Sequence, residues 1–380
     1  MTSEIQSLGE KPAPARRGTR FRRAAVAAGL AAGVALLCAA AGPASAATAS
    51  APGSAAAAGA TGHVTASASD ASSAAKRVIA YWTKARMLSA RNGDGVQVKA
   101  GPAHAAAAGP RGRAGHVAGT AADEALAGPG PRITAQAVRG ARPDVGAVGS
   151  PWTGNAYAAP ATTTGKVFFS TANHENWVCS GSTVNSNGRD SVITAGHCVF
   201  GSLGGEVPGE GWHSNWVFVP DYSNGSAPYG VWTAKELWAP TAYVNNQDEG
   251  DDMGGAVLNT NAYGQHIVSV VGGQGFAWNW AADQAVYDFG YPAAAPFNGQ
   301  TLQYCNGSEF NWSSEVSSTM GLACNFTGGS SGGPWLMDFG GSWGYINGVN
   351  DFAYSSLPGY IFSAYFGNNA DSLYNAMANL

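Results

Sequence analysis

Two short motifs, 134 residues apart, carry the residue types of acyl-transfer chemistry. The first is Thr194-Ala195-Gly196-His197-Cys198, and the second is Gly329-Ser330-Ser331-Gly332-Gly333-Pro334. A serine hydroxyl is a weak nucleophile until a base takes its proton, and an imidazole is the side chain best suited to do so near neutrality. A serine on a glycine turn exposes its hydroxyl and leaves backbone N–H groups free. The amides of Gly329 and Ser331 are expected to meet a developing oxyanion. Ser330 competes for the nucleophile's role, but Gly332-Gly333-Pro334 directly after Ser331 select Ser331. The base also needs a carboxylate to orient it. Asp252 is the expected partner, because it is the last charge of an acidic run before the apolar stretch Met253–Leu258. Asp251 is the alternative. His174, His213 and His266 lack such a context and are read as structural.

These residues must be held by strands. The segments 166–170, 177–184, 191–194, 216–219, 255–258, 266–271 and 344–349 are short and rich in β-branched and aromatic residues. Gly, Asn and Pro turns separate them. Only the C-terminal stretch 369–380 reads as a helix. About 230 residues of short strands imply packed antiparallel barrels or sandwiches rather than a βαβ domain.

The chain before residue 151 is different. Residues 151–380 hold 11 of the 12 Trp, with 3 Lys+Arg against 17 Asp+Glu; residues 1–150 carry a net charge of +10. An acidic, aromatic C-terminal part is a poor nucleic-acid partner, since phosphate binding needs basic patches. Arg16, Arg17, Arg20, Arg22 and Arg23, then the apolar stretch 24–41, then Ala44-Ser45-Ala46, read as a signal peptide over residues 1–46 rather than a membrane anchor. The expected location is secreted and extracellular. Residues 47–150 read as a low-complexity pro-region, too poor in large apolar residues to fold alone. Within it, residues 75–88 form an apolar and basic island. Val78, Ile79, Trp82 and Leu88 fall near one helical face, which suits either a stray helix or a docking element.

Removal of a signal peptide takes Cys38 and leaves Cys179, Cys198, Cys305 and Cys324. An even number in an exported chain points to two disulfides. Of three possible pairings, Cys179–Cys198 and Cys305–Cys324 close local loops of about 19 residues, each contributing roughly 3 kcal/mol in the chain-entropy model. A metal site is disfavoured, because no Cys/His pair stands at ligand spacing. No cofactor is expected.

Trp177-Val-Cys-Ser-Gly-Ser, the His197 motif, Asp252 and the Ser331 motif together resemble the chymotrypsin-like serine peptidases. Within them the chain is similar to the bacterial branch of glutamyl endopeptidases and actinobacterial secreted proteases. The resemblance covers residues 160–375. It implies two antiparallel six-stranded β-barrels with the active site in the cleft between them and a short C-terminal helix. It also implies hydrolysis of peptide bonds in polypeptide substrates through an acyl-enzyme. The mature chain is expected to be a monomer. Tyr81-Trp82-Thr83 with Arg86-Met87 resembles a segment of actinobacterial protease pro-regions, which favours docking as an inhibitor or folding aid.

Two departures from the family pattern stand out. Ser330 occupies the position where trypsin and chymotrypsin carry an Asp that pairs with a new N-terminus, so removal of an inhibitory pro-region is the expected activation. The His of glutamyl endopeptidases is matched by Asn350, and their small hydroxyl residue by Phe326. Asn325, Phe326 and Asn350 are expected to line the primary pocket, without a preference for glutamate. Two other readings compete. An esterase of the α/β-hydrolase class would fit Gly329–Gly333, but it needs the order Ser, Asp, His, and no His follows Ser331. A non-catalytic binding module on a protease fold would be expected to have lost a triad residue.

Overall fold

The computed structural model describes residues 59–67, 71–92, 97–98, 112–123, 148–201, 210–312 and 318–380. The expected signal peptide and much of the expected pro-region lie outside these residues. Six antiparallel strands close a first barrel. In ladder order they are Thr164–Ser170, Asn176–Thr183, Ser191–Thr194, Gly254–Leu258, Trp232–Pro240 and Ser214–Pro220, and the last pairs with the first. Closure leaves no free edge, which is how a sheet of short strands avoids unpaired backbone. Every residue of Thr164–Ser170 is buried.

The second half is built from two sheets rather than one closed ladder. One runs in the order Gly275–Trp278, Tyr345–Val349, Pro334–Met337, Ala285–Gly290 and Gln303–Ser308, with the first pair parallel. The other joins Phe310–Asn311, Thr319–Ala323 and Tyr360–Ala364. The Cys305–Cys324 disulfide links the two sheets.

The run 266–271, expected as a strand, contains a helix over Ile267–Val271 with four of its five residues buried. A short apolar run enclosed on all sides has no polar face to reveal its period, so sequence cannot separate the two states. The C-terminal helix spans Asn368–Met377 and buries Ala370, Leu373, Tyr374 and Met377.

Segments before residue 151 join both halves. Ala60–Val64 adds an antiparallel strand to Trp232–Pro240, and Gly115–Val117 adds one to Gly275–Trp278. The island folds as two helices, Ala71–Tyr81 and Lys84–Ser89. Trp82 and Met87 are buried. The Trp82 indole donates to Asn215 O (2.5 Å), and the Tyr81 hydroxyl donates to Asn176 Oδ1 (2.8 Å). Ile79 and Leu88, expected on the packing face, are instead 46% and 49% exposed. A break at residues 82–83 between the helices rotates the second one and accounts for Leu88; Ile79 precedes the break and turns outward within the first helix.

Glu309 is the buried carboxyl in this half with the fullest set of donors. Asn347 Nδ2 donates to both its oxygens (3.1 Å each), and Gln284 N donates to one (3.3 Å). Burial nonetheless pushes its pKa up to about 8. The folded chain therefore binds a proton that the unfolded chain releases, and stability falls as pH rises from about 4.5 to about 8. Glu309→Gln should raise the melting temperature at pH 8 and flatten its decline, read from thermal melts between about pH 5 and about pH 9. An unchanged slope would contradict this.

Candidate active site

Antiparallel register brings His197 and Asp252 together. Gly254 stands opposite Thr194, so residues just before one strand meet residues just after the other. His197 lies in the tight turn Gly196–Cys198, and Asp252 follows the turn Glu249–Asp251. A side chain at position 196 would press on Asp252 Oδ1 and on the Tyr243 ring, which is why glycine stands there. His197 is 3% exposed and Asp252 is 5% exposed. The His197 amide donates to Asp252 Oδ1 (2.8 Å), and Nδ1 lies 2.9 Å from Oδ2. A carboxylate there makes Nδ1 the protonated nitrogen, which puts the ring's lone pair on Nε2. Asp251 points elsewhere and accepts from Asn369 Nδ2. Asp248 accepts from Gly250 N (2.8 Å) and shapes the turn.

The backbone of the histidine turn is fixed from three further sides. His213 Nε2 meets His197 O at 3.0 Å, the Trp216 indole donates to Cys198 O (2.9 Å), and Cys198 is bonded to Cys179. Because a carbonyl only accepts, Nε2 of His213 carries the proton. Burial pushes the His213 imidazole down to about 3, and its ring stacks on Phe169. His213 is thus a neutral structural donor, and only its contact with the turn, invisible in sequence, links it to the site. His266 pairs with Asp190 (2.5 Å) at the Ile267–Val271 helix.

The serine turn is seated on the same strand as Cys179. Ser180 N donates to Ser331 O (2.7 Å). Its hydroxyl donates to Gly329 O (2.9 Å) and accepts from Tyr291 N (2.9 Å). Gly332 has φ +80°, and a Cβ there would overlap Thr194 Oγ1 and Ser180 O, so only glycine lets the turn approach. Ser330 is buried, and its hydroxyl donates to Thr327 O (2.9 Å). Ser331 is half-buried. The Ser330, Gly332 and Gly333 amides bond to Thr327 O, Asn350 O and Ser330 O.

The expected pocket residues separate. Asn325 Oδ1 accepts from Gly149 N (2.7 Å), and Phe326 packs edge-on against Phe297. Asn350, expected on the pocket wall, is fully buried beneath the serine turn. Its amide is engaged by Trp335, Asp288 and Ser330. Alternation explains the placement: one residue beyond Tyr345–Val349, the side chain points into the half-barrel rather than out to the cleft.

Among solved structures, the chain is similar to the protease Anisep from Arthrobacter nicotinovorans, at 42% identity and a TM-score of 0.53, covering 58% of this chain and 98% of that one. It is also similar to AL20, a thermostable serine protease from an extremophilic microorganism, at 40% identity and 0.53, covering 57% and 97%. No protein-family model and no curated protein matches. The chain belongs to the chymotrypsin-like serine proteases. It is a serine-type endopeptidase, a hydrolase acting on polypeptides.

Ser180→Ala would leave the Tyr291 N–H and the Gly329 carbonyl buried without this partner. The expected cost is about 1–3 kcal/mol, a fall of several degrees in melting temperature. An unchanged melting temperature would show that the serine turn does not depend on this bridge.

Proposed function

We propose that His197, Asp252 and Ser331 form the catalytic triad of this endopeptidase, and that the enzyme is exported with a pro-region that restrains it. The observation that carries the reading is the double contact of Asp252 with His197, one bond to the backbone and one to Nδ1. His197 Nε2 takes the Ser331 proton as Oγ attacks the peptide carbonyl. The oxyanion is met by the amides of Gly329 and Ser331, which have no backbone acceptor among the described residues. His197 then gives its proton to the leaving amine as the C–N bond breaks. Water, deprotonated by the same imidazole, releases the acyl group and restores Ser331. Asp252 stabilises the imidazolium formed in both halves.

The substrate side chain entering the pocket is read as uncharged or cationic rather than acidic. The three Lys and Arg of residues 151–380 are all engaged in the full chain, Arg189 by a residue of the pro-region itself. Lys166 Nζ donates to Gly299 O (2.8 Å), Arg189 pairs with Asp123 (2.7 Å), and Lys235 lies 3.9 Å from Glu236. Asn325 and Phe326 are the residues proposed to shape the pocket.

The pro-region reading extends over residues 47–150. Arg91–Asn92 pairs with Trp177–Val178, two residues from the Ser180 amide that holds Ser331. Asn92 Nδ2 donates to Ala293 O (2.7 Å). Gln97–Val98 pairs with Ala353–Tyr354 in the other half. Pairing on both halves supports inhibition, while the strand Ala60–Val64 on the first barrel supports a part in folding as well. Export is supported by the signal-like N-terminus and by two disulfides. Among the described residues no helix is long and apolar enough to cross a membrane.

Casein cleavage tests the triad. Ser331→Ala should lower turnover by several orders of magnitude, and Asp252→Asn by about 10⁴, with both variants folded by circular dichroism. Near-normal turnover in Ser331→Ala would refute the assignment.

A further inference from the structure

Beneath the serine turn lies a buried carboxyl that the mechanism does not use. Asp288 sits in the strand Ala285–Gly290, opposite Cys305 on one side and Trp335 on the other. It is completely buried. Its Oδ1 accepts from Asn350 Nδ2 (2.7 Å), while Oδ2 has no hydrogen-bond partner among the described residues. Asn350 in turn holds the turn that carries Ser331. Its N donates to Gly333 O (2.9 Å), its O accepts from Gly332 N (2.6 Å), and its Nδ2 also reaches Ser330 O (3.3 Å). The Trp335 indole donates to Asn350 Oδ1 (2.9 Å), which fixes the amide with its NH₂ toward Asp288.

We propose that Asp288 is a positioning residue for peptide hydrolysis, acting through Asn350 to hold the Ser330–Gly333 turn in its reactive shape. This rests on Ser331 as the nucleophile. The carboxyl does its work uncharged. From Gln303–Ser308 it faces Cys305, whose sulfur is bonded to Cys324; from Pro334–Met337 it faces Trp335; from beyond Tyr345–Val349 it faces Asn350. None of these groups is charged, and no nearby charge contributes to its titration. A carboxylate in such a place, with one donor and no counter-charge, is far costlier than the neutral acid. Burial accordingly raises its pKa well above the usual carboxylate range. Ionisation at alkaline pH would put an uncompensated charge under the turn and loosen Asn350. Turnover should fall there.

The test is the pH profile of kcat per active site, titrated with a fluorophosphonate, for wild type and Asp288→Asn. An amide keeps the Oδ1 acceptor and cannot ionise. Asp288→Asn should stay within about threefold of wild type near neutral pH and lose the alkaline fall, or show it only at higher pH. Asp288→Ala, which removes the anchor, should lower kcat by about tenfold or more with little change in KM. An Asp288→Asn profile that coincides with wild type, an Asp288→Asn chain that does not fold, or an Asp288→Ala enzyme with wild-type kcat would each overturn the proposal. The outcomes are separate from the nucleophile reading: if wild type labels at Ser331 and its profile is unmoved by Asp288→Asn, only the role of Asp288 fails.

Discussion

The site depends on one backbone hydrogen bond, from Ser180 N to Ser331 O. Ser180 follows Cys179, and Cys179 is bonded to Cys198 beside the imidazole. One strand of the closed barrel therefore holds the His197 turn on one side and the Ser331 turn on the other, the two groups proposed as base and nucleophile. The remaining contacts refine this arrangement. Asp252 sets the imidazole tautomer, His213 and Trp216 hold the carbonyls of the histidine turn, and the Ser180 hydroxyl ties the Gly329 carbonyl to the Tyr291 amide. Each removes a degree of freedom that a reacting group would otherwise have to give up in the transition state.

Much of this was legible in the residues. His197 and Ser331 are marked by motifs whose small residues have a steric purpose, visible at Gly196 and Gly332. Asp252 could be chosen over Asp251 from its place at the mouth of an apolar strand, and the structure gives each a different partner. The local cysteine pairs required only counting and spacing. Contacts that join distant segments through uncharged groups were not legible. Nothing near His213 in sequence indicates that it faces His197 O, and nothing near Asp288 indicates Asn350, 62 residues away. For Asn350, alignment with a motif fixes position along a strand but not which way the side chain turns, and the side chain turns inward. Periodicity is silent for a fully buried run such as 266–271, and across the break at 82–83 it misplaces Leu88.

The opposite charges of the two chain regions gain meaning from the contacts between them. Arg91 pairs with Glu175 and Arg189 with Asp123, one ion pair in each direction across the junction. Such exposed pairs contribute little individually and weaken with salt. The burial of Trp82 and the added strands give the attachment most of its strength, while the net charge adds long-range attraction. A change of ionic strength alone is therefore expected to leave this segment attached.

The central claim is that Ser331 is an activated nucleophile assembled by His197 and Asp252. The most direct measurement is fluorophosphonate labelling of the processed protein, located by mass spectrometry, beside an Asp252→Asn control. The account requires a single adduct on Ser331, formed far more slowly in the control. An adduct on Ser330, or equal labelling in the control, would contradict it.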